Sequence, residues 1–277
     1  MKFGFVTCVQ LGLSCIEKIY EIGGQLDLLI TLNDNKAVKK SGRIYLDDFS
    51  SKNKIDLIKI NHINDAEAIQ AIKDHDIDWL FIIGWSQIAN KSVLDAPKKG
   101  AIGIHPTLLP EGRGRAAIPW AIIKGLDQTG VSMFKLDEGV DTGKLLGQKF
   151  LPLTPKETAS SLYNRVNKAH EGLIEQVWSD LVNDSIVLKA QDESKATYWP
   201  GRTPADGEIN EAMTVEEVDR LVRATTKPYP GAFIMEDGKK IIVWSGSTLQ
   251  SIGNEESICI KLSNGDYWAT NFEEVLE

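Results

Sequence analysis

The chain is poor in cysteine, and the little it has is badly placed for cross-links or metal. Cys8, Cys15 and Cys259 are the only three in 277 residues. An odd number without ligand spacing fits a reducing cytoplasm better than a disulfide framework. No His, Cys and carboxylate cluster has the spacing of a metal site, so no metal is expected. Long apolar runs are missing too: none reaches the roughly 18 residues of a membrane helix, so no membrane partner is expected. The opening residues 1–6 read as a first strand rather than as the apolar part of a signal segment. Glycine-rich phosphate cradles are also absent. The turn after the first strand reads Thr7-Cys8-Val9-Gln10-Leu11-Gly12. That is not GxGxxG, and GxxxxGKS/T does not occur, which leaves a dinucleotide cradle or P-loop without support. Basic residues are outnumbered, 31 Lys and Arg against 39 Asp and Glu, for a net charge of -8. The excess is concentrated: from Asp206 onward 14 acidic residues stand against 6 basic ones. That region is unsuited to gripping nucleic acid, because phosphate contacts need Lys and Arg.

What is present is ordinary for a globular protein, 42% hydrophobic and 25% charged. The length suits one large or two modest domains with a sizeable core. Residues 3–8, 26–31, 55–60, 77–83 and 101–104 are apolar runs that read as strands. Between them, 11–22, 64–74 and 91–94 read as helices; Gly23-Gly24 stops the first, and Asn64 or Asp65 is placed to cap the second. Residues 33–51 are polar and read as irregular. The alternation predicts right-handed crossovers and a parallel sheet, an α/β fold. A helix at 118–124 follows, with Pro119 in its first turn, then paired strands at 130–136 and 145–151. Leu162, Val166, Ala169, Leu173 and Val177 mark 157–181 as one long amphipathic helix, expected to cover a face of the sheet.

Beyond Lys189 the texture changes. A linker at 191–205, punctuated by Pro200, Gly201 and Pro204, divides a domain at 1–190 from a small one at 206–277. The latter opens with a helix at 215–225, whose Thr214 and Glu217 form a capping box. Short strands at 231–235, 240–244, 257–262 and 267–270 follow, separated by Asp237-Gly238, Gly253-Asn254 and Asn264-Gly265. That spacing suggests a small, open β-barrel or β-meander.

The stretch 100–148 holds the chemistry. His105 ends an apolar strand and precedes Pro106, which keeps its backbone extended. Asp141 lies at the mouth of another apolar run. An imidazole and a carboxylate in contact suit acid-base work on an amine or acyl substrate; a structural histidine and a turn-capping aspartate are the plain alternative. Arg113 and Arg115 flank Gly114, either to clamp a phosphate or carboxylate or as a solvated turn. Trp85, past the fourth strand, is placed to stack on a planar ligand or to plug a crevice. His62, His75 and His170 have no partner type nearby and read as surface or packing residues. Cys8 and Cys15 read as core.

These residues form a larger pattern: His105-Pro106-Thr107-Leu108-Leu109-Pro110, Arg113-Gly114-Arg115, Pro119-Trp120-Ala121-Ile122, Thr129-Gly130-Val131, Asp141-Thr142-Gly143, then Arg202-Thr203-Pro204-Ala205-Asp206-Gly207 and Pro228-Tyr229-Pro230-Gly231. The pattern resembles the 10-formyltetrahydrofolate-dependent formyltransferase family over most of the chain. The resemblance implies a Rossmann-like formyltransferase domain and a small, mostly β, OB-like second domain. It implies 10-formyltetrahydrofolate as co-substrate, held against Ile83, Gly84, Trp85 and Ile88 and against Asp137 and Gly139. It also implies a catalytic trio of Asn, His and Asp, of which His105 and Asp141 match the last two. The Asn position holds Gly103. Protonated His105, Thr107, Asn90, Gln87 or a water in the space left by glycine are the replacements open to it, and loss of activity is the other outcome. An oxyanion donor is worth on the order of 10²–10³ in rate.

The acceptor follows from charge. A nucleotide-linked amino sugar needs only a local positive group, and Thr107, Arg113 and Arg115 are the substrate-binding candidates, with Arg202 a further cation. A sugar N-formyltransferase for surface glycans, such as those of the pseudaminic-acid type, is therefore expected. A methionyl-tRNA formyltransferase and a non-catalytic folate or nucleotide-sugar binding protein are the alternatives. Similar enzymes are commonly dimers, so a homodimer fits the resemblance.

Overall fold

The computed structural model describes residues 1–37, 42–249 and 257–275. By contact the chain forms two compact units, and neither is contiguous in sequence. The first takes Met1–Arg113, Gly130–Phe150 and Asn167–Thr197; the second takes Gly114–Thr129, Leu151–Val166 and Tyr198–Glu277. The second unit therefore reaches back into segments that a simple split at 190 and 206 assigns to the first.

The first unit is built on strands β1 (Phe3–Val6), β2 (Leu28–Leu32), β3 (Asp56–Ile60), β4 (Trp79–Ile82) and β5 (Gly100–His105). Two later strands, β7 (Gln128–Lys135) and β8 (Leu145–Pro152), complete a seven-stranded sheet of order β3-β2-β1-β4-β5-β7-β8; the two-residue β6 (Arg113–Gly114) stands apart. The pairs among β1 to β5 are parallel, and β5 with β7 is antiparallel. β1 and β2 are buried along their whole length, as central parallel strands with both faces covered must be. Each large apolar side chain buried there contributes about 1.5–3 kcal/mol. The strand order reverses between β1 and β4, and α/β sheets place ligands outside the strand ends at such a switch.

Helices α1 (Gln10–Glu21), α4 (Ala66–Asp74) and α5 (Lys91–Leu94) connect these strands. Asp65 stands at the N-cap of α4, but its carboxylate turns back to the amides of Asn61 and His62. Residues 33–51 are not simply irregular: α2 (Asp34–Ala37) and α3 (Asp47–Asn53) lie there. α3 buries no residue, so no apolar periodicity announces it. Its first-turn Asp47 and Asp48 instead favour the positive end of the helix dipole. Helix α6 (Ala117–Ile123) precedes β7, and α7 (Ala159–Val182) is the expected long helix. Trp178 of α7 packs tilted against Phe3 and stacks on Phe81 of the sheet, with ring centroids 4.6 and 6.3 Å away.

The second unit carries β9 (Tyr198–Trp199), α8 (Val215–Thr225), β10 (Ala232–Glu236), β11 (Lys239–Ser247), β12 (Ile258–Leu262) and β13 (Gly265–Val275). The last four form an antiparallel sheet of order β10-β11-β13-β12. The capping box is present: Glu217 N donates to Thr214 Oγ1 (3.2 Å), and Thr214 N donates to Glu217 Oε2 (2.8 Å). Val218, Leu221 and Val222 of α8 pack on Val243, Tyr267 and Ala269 of the sheet. The expected turn at Gly253-Asn254 lies outside the described residues. The presumed linker is structured: residues 193–195 form a helical turn, and Thr203 caps a second one through Asp206.

Candidate functional site

His105 is the last residue of β5, 8% exposed, and stands opposite Ser132 of β7. Pro106 ends the strand, and the loop beyond is pinned to β7. Ser132 Oγ donates to the Thr107 carbonyl (2.7 Å) and accepts from Leu109 N (3.0 Å) and Gln148 Nε2 (2.8 Å). The loop then returns Gly112, whose carbonyl lies 2.8 Å from His105 Nε2. A carbonyl only accepts, so Nε2 carries a hydrogen and the other ring nitrogen is the variable one. That nitrogen, Nδ1, faces Asp141 Oδ2 at 3.5 Å. The pair is in ion-pair range but longer than a tight hydrogen bond, as catalytic contacts often are before substrate arrives. Asp141 itself has φ 56, in the left-handed region. A non-glycine residue there costs on the order of 1 kcal/mol and persists only where its surroundings hold it.

Those surroundings contain residues that the sequence did not bring forward. Gln191 Nε2 donates to the carbonyls of Asp141 (2.8 Å) and Gly143 (2.7 Å). Its Oε1 accepts from Arg113 Nη2 (2.8 Å), and Arg113 also forks onto Glu193 at 2.8 and 2.6 Å. Arg113 is fully buried, so the expectation that it binds substrate is corrected: its guanidinium is spent inside the protein. The physical signal was available, since a buried arginine demands an acid, but Glu193 lies 80 positions away. Arg115 differs; its side chain is exposed in the second unit, with its backbone N bonded to Trp199 O (3.1 Å). Arg202 lies in the same unit, 5.0 Å over the Trp120 ring.

Gly103 sits two residues before His105 on the same strand, hence on the same face. A Cβ there would lie 2.7 Å from Leu136 Cδ2. An asparagine there would have to displace the end of the half-buried Leu136 side chain. Of the other stand-ins, Gln87 uses both ends of its amide, accepting from Ile63 N (2.8 Å) and donating to Asn61 O (3.0 Å). Asn90 Oδ1 accepts from Val93 N at the start of α5 (3.1 Å). Thr107 is 2% exposed, and its Oγ1 has no hydrogen-bond partner.

The residues expected to hold folate fall in two groups. Ile83, just after β4, is buried; Gly84 turns at φ 67 with a Cβ position 2.5 Å from Val9; Trp85 packs on Cys8 and Leu32. This is the β1/β4 switch, and the buried Trp85 Nε1 has no partner. Ile88 is 86% exposed. Asp137 and Gly139 line a cavity of about 590 Å³ together with Lys91, Lys98, Lys99, Gly100 and Lys135. Asp137 Oδ1 also accepts from Thr142 Oγ1 (2.7 Å) and Gly139 N (3.1 Å), tying the loop to itself. Cys15 is core: burial pushes its thiol well above the usual range. Burial works against charge on His75, yet hydrogen bonds to Asp56 and the Ala71 carbonyl hold its pKa above the ordinary value.

Two family models match the chain. One, described as formyl transferase, covers residues 26–177; the other, described as formyl transferase, C-terminal domain, covers residues 202–276. The methionyl-tRNA formyltransferase of Agathobacter rectalis is 28% identical over 262 residues, 94% of this chain and 84% of that protein. The N-formyltransferase from Helicobacter canadensis, solved with folinic acid and dTDP-3-aminofucose, superposes with a TM-score of 0.71 at 18% identity, over 98% of this chain and 99% of that one. HypX from Aquifex aeolicus superposes with a TM-score of 0.69 at 17% identity; the match covers 98% of this chain and 44% of HypX. At such identities the solved structures are alike in fold.

Proposed function

Since this chain belongs to the formyl transferase family, we propose that it moves the formyl group of 10-formyltetrahydrofolate to the amine of a nucleotide-linked amino sugar. The observation that carries this reading is the His105–Asp141 pair, 3.5 Å apart at the end of β5. Two buried groups without protein partners, Thr107 Oγ1 and Trp85 Nε1, fit a site that receives a polar, planar ligand. The folate supplies an activated formyl group; a C–N bond to the acceptor amine forms as the bond to folate N10 breaks. In this reading a charged His105 offsets, by its field, the negative charge gathering on the formyl oxygen, and Thr107 adds a hydroxyl donor in place of the missing asparagine. Asp141 orients the imidazole and takes up the proton that the amine sheds, which leaves on N10. Such acid-base work contributes on the order of 10²–10⁴-fold. Ile83, Gly84, Trp85, Ile88, Asp137 and Gly139 are the proposed folate contacts.

Charge favours the sugar over a polyanion: from Asp206 onward 14 acidic residues stand against 6 basic ones. One observation favours a second reading, formylation of methionyl-tRNA: the Agathobacter rectalis enzyme matches over 94% of this chain. Mass spectrometry separates the two. The chain is incubated with 10-formyltetrahydrofolate and either dTDP-3-aminofucose, a wider panel of UDP- and dTDP-amino sugars, or methionylated initiator tRNA. Gain of one CO on a sugar supports the proposal. Formylation of the tRNA alone replaces it with the second reading, and transfer to no amine overturns both.

A further inference from the structure

A single short segment reaches the His105–Asp141 pair from both sides. On one side, Gln191 donates to the carbonyls of Asp141 and Gly143 (2.8 and 2.7 Å). Arg113 anchors Gln191 through Oε1 (2.8 Å) and is itself anchored by Glu193 (2.6 Å). On the other side, Thr197 Oγ1 accepts from Gly112 N (2.8 Å) and Thr197 O accepts from Arg113 N (2.9 Å). Gly112 is the residue whose carbonyl meets His105 Nε2. We infer that residues 191–197 set the geometry of the pair, with Gln191 as the positioning residue for Asp141. This inference rests on the reading of His105 and Asp141 as the reacting groups.

The chemistry of the links supports a positioning role. An amide offers two N–H donors, and two backbone carbonyls take them. The acceptor end of the same amide is held by a buried guanidinium, which cannot swing away without leaving its own N–H groups unsatisfied. Asp141 occupies a left-handed backbone conformation at φ 56, which calls for such a restraint. The contact being set is 3.5 Å long, so a modest shift of the loop decides whether the two side chains meet.

Gln191→Glu tests it in the full chain. The carboxylate keeps an acceptor for Arg113 and loses both donors to the Asp141 loop. The readouts are the nitrogen-15 ring resonances of His105, identified by their absence in His105→Gln, together with thermal melting, folinic acid affinity and formyl transfer to dTDP-3-aminofucose or initiator tRNA. In the expected result the ring resonances of Gln191→Glu move toward those of Asp141→Asn, kcat falls by about 10- to 100-fold with KM little changed, and folinic acid binds as before. Lys73→Ala, an exposed change on α4 outside this segment, leaves all four readouts alone. Unmoved ring resonances, with or without a lower melting temperature, make Gln191 a merely structural tie and overturn the inference. If Gln191→Glu does not fold, Glu193→Gln, which loosens the same chain one step back, is read by the same criteria. Full turnover in His105→Gln defeats the underlying reading instead, and the ring spectra separate that failure from this one.

Discussion

Of the aspartates that hold left-handed backbone conformations, Asp237 and Asp141 do so in different settings. Asp237 has φ 48 and heads a two-residue loop between the paired Glu236 and Lys239, with Gly238 at φ 76 behind it. Such a hairpin turn requires positive φ at both central residues, and Asp-Gly supplies it. Asp141 has φ 56, but Thr142 follows it and its loop, 136–144, is too long for that rule. What holds Asp141 is Gln191, 50 positions away. One conformation is explained by the next residue, the other by a tertiary network that also reaches His105. The difference separates a turn that shapes a hairpin from a turn that aims a carboxylate.

The sharpest way to break the comparison is to remove the group at which Asp141 is aimed. His105→Ala should lose turnover by on the order of 10²–10⁴-fold, while folinic acid still binds and melting falls only as far as the loss of a buried imidazole and its bond to the Gly112 carbonyl requires; formyl-transfer assays and calorimetry measure both. A smaller effect is expected at Gly103, which is also explained by a distant residue. Gly103→Ala places a methyl group 2.7 Å from Leu136 Cδ2 and should destabilise the fold by about 1–3 kcal/mol, in part restored by Leu136→Ala, as read by urea unfolding. The smallest effect belongs to the locally explained turn. Asp237→Ala should cost about 1 kcal/mol and Asp237→Gly less than about 0.5 kcal/mol, both with turnover intact. Lost turnover in either variant would erase the distinction.

The same division sets what the chain discloses before it folds. Strands β1, β2, β4 and β5 are legible because each is a nearly unbroken apolar run, and α8 because Thr214 and Glu217 announce it three residues apart. The Asp237-Gly238 and Asn264-Gly265 turns are legible for the same reason: cause and effect are neighbours. Helix α3 is not, because it buries nothing. Arg113 and Arg115 look alike in sequence, two residues apart, yet one is buried on Glu193 and Gln191 and the other is exposed. Nothing within ten residues of either predicts which. His105 and Asp141 stood out through strand ends and family resemblance, whereas Gln191 lay in a segment that read as a connector. Leu136, which closes the space beside Gly103, gave no sign of doing so, since packing across adjacent strands has no signature in one strand alone.

The account rests on the imidazole and the carboxylate working as a unit, and a double-mutant cycle measures that directly. The rates of formyl transfer by His105→Ala, Asp141→Asn and the double variant are compared with the parent's. If the two act together, the double variant should be about as slow as His105→Ala alone, because residues acting as a unit lose their effect once rather than twice. Losses that multiply would mean that the two side chains act independently, and would contradict the account.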